Sequence, residues 1–503
     1  MSSIRVIRGG DVFRIPCNDT DTLLALLRRA GCTLPAACGG RGRCGKCRVS
    51  VNGVPRLACR IVPEDGDEVV LPPAAGGRIL TETLDPPVAP TGESGCAVAI
   101  DLGTTTAAVR LYDLTTGRTL DTRAAWNAQA SYGADVISRI QYTLERESGL
   151  DELCQCIRTQ LEDLLRAALA QAGRSAAELQ RVAVAGNTVM QSLLAGISVR
   201  PLAAYPFRAE SLFRTQPGGT LLGAPVYYAP CAAGFVGGDI TAGLLASGLA
   251  ERAGRFLFLD IGTNGEMALG GRDGFVCCAA AAGPAFEGAG VACGMLGTDG
   301  AVSRVRYNGS FEMNVIGGDE ATGLCGSGLI DLAAVLVRLG VIDPGGRLLP
   351  PEDVPDKLRN YMTTDADGNG VFHLTDRVYL TAGDVRALQL AKAAVAAGAK
   401  VLLARQGLTL SELDGIYLAG GFGMYLDPGS AAAIGLLPQV PQNKLHSVGN
   451  AALAGASALV LDTKTQEAAA RIAERCQYIE LSGQPDFADA FAGSMTLEPI
   501  QRR

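Results

Sequence analysis

The stretch Cys38-Gly-Gly-Arg-Gly-Arg-Cys44-Gly-Lys-Cys47 puts three thiols on a glycine-rich loop, and Cys59 follows after eleven intervening residues. Three thiolates from one loop and a fourth from a later segment can enclose a [2Fe-2S] cluster. The glycines remove side chains that would collide with it and expose backbone N–H groups that can hydrogen-bond the sulfurs. A structural zinc site is the alternative, but such sites usually present two short Cys-x-x-Cys knuckles, and Cys59 has no close partner in sequence. Cys32 lies near the loop and outside the pattern.

A second chemistry is written twice. An apolar run, Ala97–Ile100, enters Asp101-Leu-Gly103-Thr104-Thr105-Thr106, and another, Phe256–Leu259, enters Asp260-Ile-Gly262-Thr263-Asn264-Gly265. An aspartate at the end of a strand can hold hydrated Mg2+, and the Gly and Thr groups after it supply N–H and O–H donors to phosphate oxygens. One Asp-x-Gly-Thr is an ordinary turn, whereas two framed by apolar strands form an internal repeat. This repeat resembles actin, sugar kinases and heat-shock chaperones, in which two related lobes clamp ATP. In that superfamily a turn such as Gly420-Gly421-Phe-Gly423, after the apolar Ile416–Ala419, lies against adenosine. The resemblance also extends to Gly186-Asn187-Thr188 and Gly326-Ser327-Gly328, which match interlobe connections, and to Lys392, on an expected helix that contacts the nucleoside.

Asp101, Asp260 and Asp239 are the candidate catalytic carboxylates. Asp239 precedes an expected helix, where a helix cap is an equally good reading. Each segment taken singly is also compatible with a plain turn or a tight helix–sheet contact. His373 and His446, the two histidines, have no metal-like neighbours and receive no role.

Positioning these groups requires at least two folds. Ile4–Arg8 and Val12–Pro16 are expected strands, followed by a helix capped by Asp19 or Thr20, built on Leu23, Leu24, Leu26 and Leu27, and ended by Gly31. Cys47–Val51 is an expected strand closed by an Asn52-Gly53 hairpin turn, and Glu68–Leu71 is a last one. That order fits a small α+β β-grasp domain over 1–72. Residues 73–95, rich in Pro and Gly, read as a linker or a plain domain boundary. A two-lobed α/β actin-like ATPase (ribonuclease H-like) follows, with lobes expected at 96–250 and 251–503.

Composition narrows the setting. The 503 residues are 48% hydrophobic and 19% charged, with a formal charge of −7 and no basic run, which argues against nucleic acid as partner. The first residues lack a signal-peptide pattern, and no apolar run reaches the length of a membrane span, so a cytoplasmic protein is expected. A reducing compartment keeps its fifteen cysteines as thiols. Most of those outside the array, such as Cys154, Cys277, Cys293 and Cys476, read as small buried hydrophobes.

Taken together, the two halves resemble the reductive activators of corrinoid-dependent methyltransferases and corrinoid iron–sulfur proteins. The resemblance spans essentially the whole chain. It rests on the four cysteines, the two Asp-x-Gly-Thr segments, Ala282-Gly-Pro-Ala-Phe-Glu-Gly-Ala-Gly290, Cys325-Gly-Ser-Gly-Leu-Ile-Asp-Leu, Leu388-Gln-Leu-Ala-Lys and Leu418-Ala-Gly-Gly-Phe-Gly. Some members carry an extra small domain after the ferredoxin or C-terminal [4Fe-4S] clusters, and this sequence shows neither pattern.

The resemblance implies ATP-dependent one-electron reduction of inactive Co(II) to Co(I). It also implies a corrinoid protein as partner, a low-potential ferredoxin or flavodoxin as electron source, and a homodimer. A one-electron deficit of a few hundred millivolts costs roughly 7 kcal/mol, which ATP can offset if its binding or hydrolysis changes which complex is favoured. Two other functions remain open at this point: an activator of the 2-hydroxyacyl-CoA dehydratase type, and an ATP-binding redox sensor without turnover.

Overall fold

The computed structural model describes residues 2–9, 11–32, 34, 36, 38–43, 45–72, 92–318 and 320–500. Cys44 and residues 73–91 of the expected linker lie outside them.

The N-terminal domain is a five-stranded mixed sheet with one helix. Its elements are β1 (Ser3–Arg8), β2 (Asp11–Pro16), α1 (Leu23–Arg29), β3 (Arg48–Val51), β4 (Val54–Leu57) and β5 (Glu68–Val70), in the sheet order β2-β1-β5-β3-β4. β1 and β5 run parallel and the other pairs antiparallel, which gives the β-grasp arrangement. Leu23, Leu24, Leu26 and Leu27 of α1 pack with Ile4, Val6 and Val69 as its core. The helix begins later than Asp19 or Thr20 would have it. Asn18 Oδ1 accepts the Thr20 and Asp21 backbone N–H groups in an Asx turn, and Thr22 is the cap. Asn52 and Gly53, both with positive φ, close the β3–β4 hairpin as the sequence predicts.

A six-stranded sheet follows. Its elements are β6 (Cys96–Leu102), β7 (Thr106–Asp113), β8 (Thr119–Trp126), α2 (Val136–Glu145), α3 (Gly149–Gln171), β9 (Leu179–Gly186), α4 (Thr188–Ala195), β10 (Thr220–Leu221) and β11 (Ala224–Tyr228). The order is β10-β11-β9-β6-β7-β8. β6 lies parallel to β9 on one side and forms an antiparallel hairpin with β7 on the other.

The C-terminal part repeats that plan. After α5 (Gly238–Ala246) come β12 (Phe256–Ile261), β13 (Gly265–Gly271) and β14 (Gly274–Ala280). A three-stranded sheet of β15 (Ala301–Tyr307), β16 (Phe311–Val315) and β17 (Gly323–Leu324) precedes α6 (Gly326–Arg338). A second, β18 (Met362–Thr364), β19 (Gly370–His373) and β20 (Tyr379–Thr381), precedes α7 (Ala382–Arg405). The chain then forms β21 (Gly415–Ala419), α8 (Gly420–Tyr425), α9 (Pro428–Ala433), β22 (Leu445–Gly449), α10 (Ala451–Leu461), α11 (Thr465–Glu474), β23 (Cys476–Tyr478) and α12 (Pro485–Ala492). The main sheet has the order β22-β21-β12-β13-β14-β23. β12 is parallel to β21 and hairpinned to β13, just as β6 is to β9 and β7.

Among the described residues α7 alone is long and apolar enough to span a bilayer, and most of that helix is buried in the protein. By packing, the chain divides between Tyr228 and Ala229, earlier than the expected lobe boundary at 250/251. α5 explains the difference. A Cβ on Gly243 would sit 2.7 Å from the Phe258 ring, and one on Gly455 would sit 2.1 Å from the Ala242 carbonyl, so α5 is pressed onto β12 and α10.

Candidate functional site

Cys47 and Cys59 lie beside the open end of the β3–β4 hairpin, where the Ala58 N–H donates to the Cys47 carbonyl at 2.9 Å. Cys59 sits in a single turn of 3-10 helix, Ala58–Arg60, and both cysteines are buried, while Cys38 is half-buried. Burial, and then the Cys47 thiol to which it is hydrogen-bonded, push the Cys59 thiol up to about 11; a backbone hydrogen bond with Gly42 acts the other way, and Cys38 adds to the upward push. Cys38 and Cys47 are thus close enough to act on Cys59, and positive metal at that point would favour the thiolates. Gly40 has φ +97°, and a Cβ there would meet Leu24 at 3.3 Å and Cys59 Cβ at 3.8 Å. The chemistry of this donor set fits an iron–sulfur cluster. Among the described residues, no three His, Cys, Asp or Glu side chains close on one point as a cage for a single ion.

Asp101, near the end of β6, pairs with Ala108 of β7 and Ala185 of β9. The loop after it is fixed through its carbonyls. Asn127 Nδ2 donates to Gly103 O at 2.8 Å, Arg139 Nη2 to Thr104 O at 2.6 Å, and the Asn127 N–H to Thr105 O at 2.9 Å. Asn187, which caps α4, also donates to Thr104 Oγ1 at 3.0 Å. The expected neighbour Gly186-Asn187-Thr188 therefore meets this loop. Asn127 and Arg139 were not expected from the sequence. Thr106 opens β7 opposite Trp126.

The second loop has richer surroundings. Asp260 and Glu266 are directly paired across the β12–β13 hairpin, which begins its return at Gly265. Burial, and then the charges of Asp239 and Asp260, push Glu266 well above the usual carboxyl range. Carboxylates from α5 and β12 thus both act on Glu266 of β13 in this unit. Gly420, at the start of α8, has φ +84°, and a Cβ there would come 2.7 Å from Asp260 Oδ1. Gly421 and Gly423 lie in the same helix. Asp239 lies in the first turn of α5 and is not its cap, which is Gly237; its Oδ1 accepts the Ile240 N–H at 2.9 Å.

Asn264 hydrogen-bonds Glu266 through its side chain and closes the loop with its carbonyl, which accepts the Gly262 N–H at 2.9 Å. Thr263 Oγ1 donates to Glu287 Oε2 at 2.7 Å. Glu287 ends the Pro284–Glu287 turn, which docks on α6; a Cβ on Gly326 would meet Phe286 O at 2.0 Å. Gly326 thus supports the turn, and Ser327 turns inward, donating to Ser303 O at 2.9 Å. Two further functional candidates emerge here: Glu287, which lies unassigned inside the Ala282–Gly290 motif, and Glu266, which directly follows the second Asp-x-Gly-Thr segment.

Lys392 lies on α7. Its ammonium donates to Thr496 O, and it lines a cavity of about 770 Å3 with Lys400, Gly435, Ser494 and Glu498. Burial, and then Lys400, pull it down to about 8.

Comparison with known proteins identifies the domains in order along the chain. A 2Fe-2S iron-sulfur cluster binding domain matches residues 8–64, the RACo middle region matches 96–252, and the C-terminal domain of RACo, the ASKHA domain, matches 255–502. The corrinoid activation enzyme RamQ of Eubacterium limosum is 33% identical over 415 residues, covering 78% of this chain and 69% of RamQ. A [Co(II) methylated amine-specific corrinoid protein] reductase of Methanosarcina barkeri is 26% identical over 416 residues, covering 75% and 72%. The solved structure of a reductive activator for corrinoid, iron-sulfur protein superposes with a TM-score of 0.73 at 29% identity, covering 99% of this chain and 98% of that one. A ferredoxin-type cluster domain ahead of an ATP-binding ASKHA domain, with relatives of this similarity and coverage, makes the chain a member of the family of reductive activators of corrinoid proteins.

Proposed function

We propose that this protein returns a corrinoid protein from inactive Co(II) to Co(I), one electron at a time, in a reaction driven by ATP. The observation that carries this reading is the pairing in one chain of a convergent thiol loop with two Asp-Gly-Thr hairpins of the same topology. Cys38, Cys44, Cys47 and Cys59 are assigned as cluster ligands. A [2Fe-2S] cluster held there supplies one electron per turnover.

Asp101 and Asp260, each near the end of a strand, are carboxylates suited to hydrated Mg2+, and the loops Gly103–Thr106 and Gly262–Gly265 are assigned to phosphate oxygens, through donors other than the Gly262 N–H and the Thr263 hydroxyl, which Asn264 and Glu287 hold. Asp239 is assigned to orient the water that attacks the terminal phosphate, with Glu266 beside it as a carboxyl that keeps its proton. Gly420, Gly421 and Gly423 form the nucleoside-side turn, with Gly326 and Ser327 supporting the second loop from α6. Lys392 is assigned to the nucleoside side, with its ammonium bonded to Thr496 O.

The remaining assignments are a low-potential ferredoxin or flavodoxin as electron source, a homodimer, and the cytoplasm as the place of action. No disulfide joins the described cysteines, as suits a reducing compartment.

Iron and zinc counted on anaerobically purified protein, with visible and EPR spectra, test this reading. Iron at the stoichiometry of a two-iron cluster, with a reduced-state S = 1/2 signal, is expected. Stoichiometric zinc without iron after reconstitution would remove the electron source.

A further inference from the structure

The segment from Asn127 to Glu145 touches both chemistries of the N-terminal unit. At one end it takes three consecutive carbonyls of the first phosphate loop, Gly103, Thr104 and Thr105, through Asn127 and Arg139. A trans peptide points each N–H opposite the preceding carbonyl, so this grip turns the N–H groups of Thr104, Thr105 and Thr106 the other way, as a phosphate requires.

The same segment carries the ferredoxin domain. Arg28 of α1 donates to the Ser131 carbonyl, and its guanidinium lies over the Tyr132 ring at 4.6 Å and the Tyr142 ring at 5.8 Å. Arg41, inside the cysteine loop, pairs with Glu145 at 2.6 Å. The loop backbone also touches directly: a Cβ on Gly39 would stand 2.8 Å from the Tyr132 carbonyl oxygen.

Arg139 joins the two ends. It is wholly buried, with Nε donating to Gly133 O at 3.0 Å and Nη1 to Gln129 Oε1 at 3.2 Å. It thus ties α2 to the Ala128–Ser131 turn and ties both to Thr104.

We propose that residues 127–145 couple nucleotide binding to docking of the cluster domain, with Arg139 as the positioning residue and the Arg28–Tyr132 and Arg41–Glu145 contacts as the latch. A docked ferredoxin domain holds the segment, and the segment holds the loop ready for phosphate. Linkage requires the reverse as well: bound nucleotide holds the ferredoxin domain in place, and its loss loosens it. The inference rests on the reading that Gly103–Thr106 receives nucleotide phosphate. It assigns to ATP a way of fixing and freeing the electron-carrying domain.

Trp126, the single tryptophan, adjoins Asn127 and serves as an internal reporter. The test uses the full chain with its cluster, titrated with a non-hydrolysable ATP analogue and Mg2+ while Trp126 emission and amide exchange of α1 are followed. Two variants are compared with the unmodified protein: Arg28→Gln, and the exposed Glu145→Lys, which opposes Arg41 without touching the ferredoxin core. Intact EPR signals confirm that both retain the cluster domain.

The proposal expects analogue affinity to fall about 5-fold or more in both variants, the scale of ordinary allosteric coupling. It also expects the analogue to slow amide exchange in α1 of the unmodified protein and not in the variants. Affinities within about twofold of the unmodified protein, together with exchange in α1 indifferent to the analogue, would overturn the coupling and leave the ATP reading standing. Absence of analogue binding by the unmodified protein would overturn the ATP reading and the coupling with it.

Discussion

Gly420 stands against Asp260 so closely that a single added methyl group would lie 2.7 Å from the carboxylate oxygen, at a backbone φ of +84°. The strand end that bears the candidate Mg2+ carboxylate and the glycine turn that follows β21 are therefore one structure, held by the parallel pairing of β12 with β21.

Gly420→Ala should weaken binding of Mg-ATP by at least about tenfold, because the side chain is strained at positive φ and displaces Asp260. Calorimetric titration measures this. The EPR signal of the cluster should be unchanged, since the cysteines lie in a separate domain, and an unaltered affinity would speak against a role for this contact.

Cys59→Ala should abolish the two-iron EPR and visible signals and leave nucleotide binding in place. The thiol is assigned as a ligand, and its loss leaves Cys47 without its buried partner. Spectra together with an ATP-analogue titration on the same sample decide the matter. A variant with a normal cluster would require a different fourth ligand.

Arg139→Met should cost about 3 kcal/mol of stability, since it strands the buried carbonyls of Thr104 and Gly133 at about 1–3 kcal/mol each. Denaturant unfolding followed by Trp126 emission reports this directly. A loss below about 1 kcal/mol would mean that the loop finds other donors.

Lys392 gives the protein a pH signature. Its ammonium is depressed from 10.5 to about 8 by burial and Lys400, so between those values the native state holds fewer protons than the unfolded chain. Stability from this group therefore rises with pH across that window, and the burden is fully present below it. The stability of the unmodified protein relative to Lys392→Met should increase by roughly 3 kcal/mol from pH 7.5 to 10.5. Chemical denaturation at a series of pH values checks it, and a flat difference would contradict the buried-lysine account.

Much of the site was legible because its signals are local. The tandem Asp-x-Gly-Thr hairpins carry their own strands, and the cysteine spacing with Asn52-Gly53 outlines the small domain. The helix cap was misplaced because Asn18 spends its side chain on a turn that moves the start to Thr22. Strand β4 was missed because Val54-Pro-Arg-Leu57 shows no clean alternation and contains a proline.

Asn127, Arg139 and Glu287 were illegible for another reason. Each reaches a loop distant in sequence, so no local pattern marks it. Resemblance assigns Lys392 to the nucleoside, and the folded C-terminal segment adds the Thr496 carbonyl that its ammonium meets, a partner that no local pattern marks. Asp239 was left between a cap and a catalytic carboxylate. Gly237 is the cap, and the catalytic role of Asp239 in the first turn of α5 stands as a proposal.

The central claim is that ATP lets this protein give one electron to a Co(II) corrinoid. The direct measurement mixes the chemically reduced protein with a corrinoid protein held as Co(II), with and without Mg-ATP, and follows the Co(II) EPR signal and the Co(I) absorption. The account predicts that Co(II) is consumed and Co(I) appears only when ATP is present, with one cluster oxidised for each cobalt reduced. Complete reduction at the same rate without ATP, or none with it, would contradict that account.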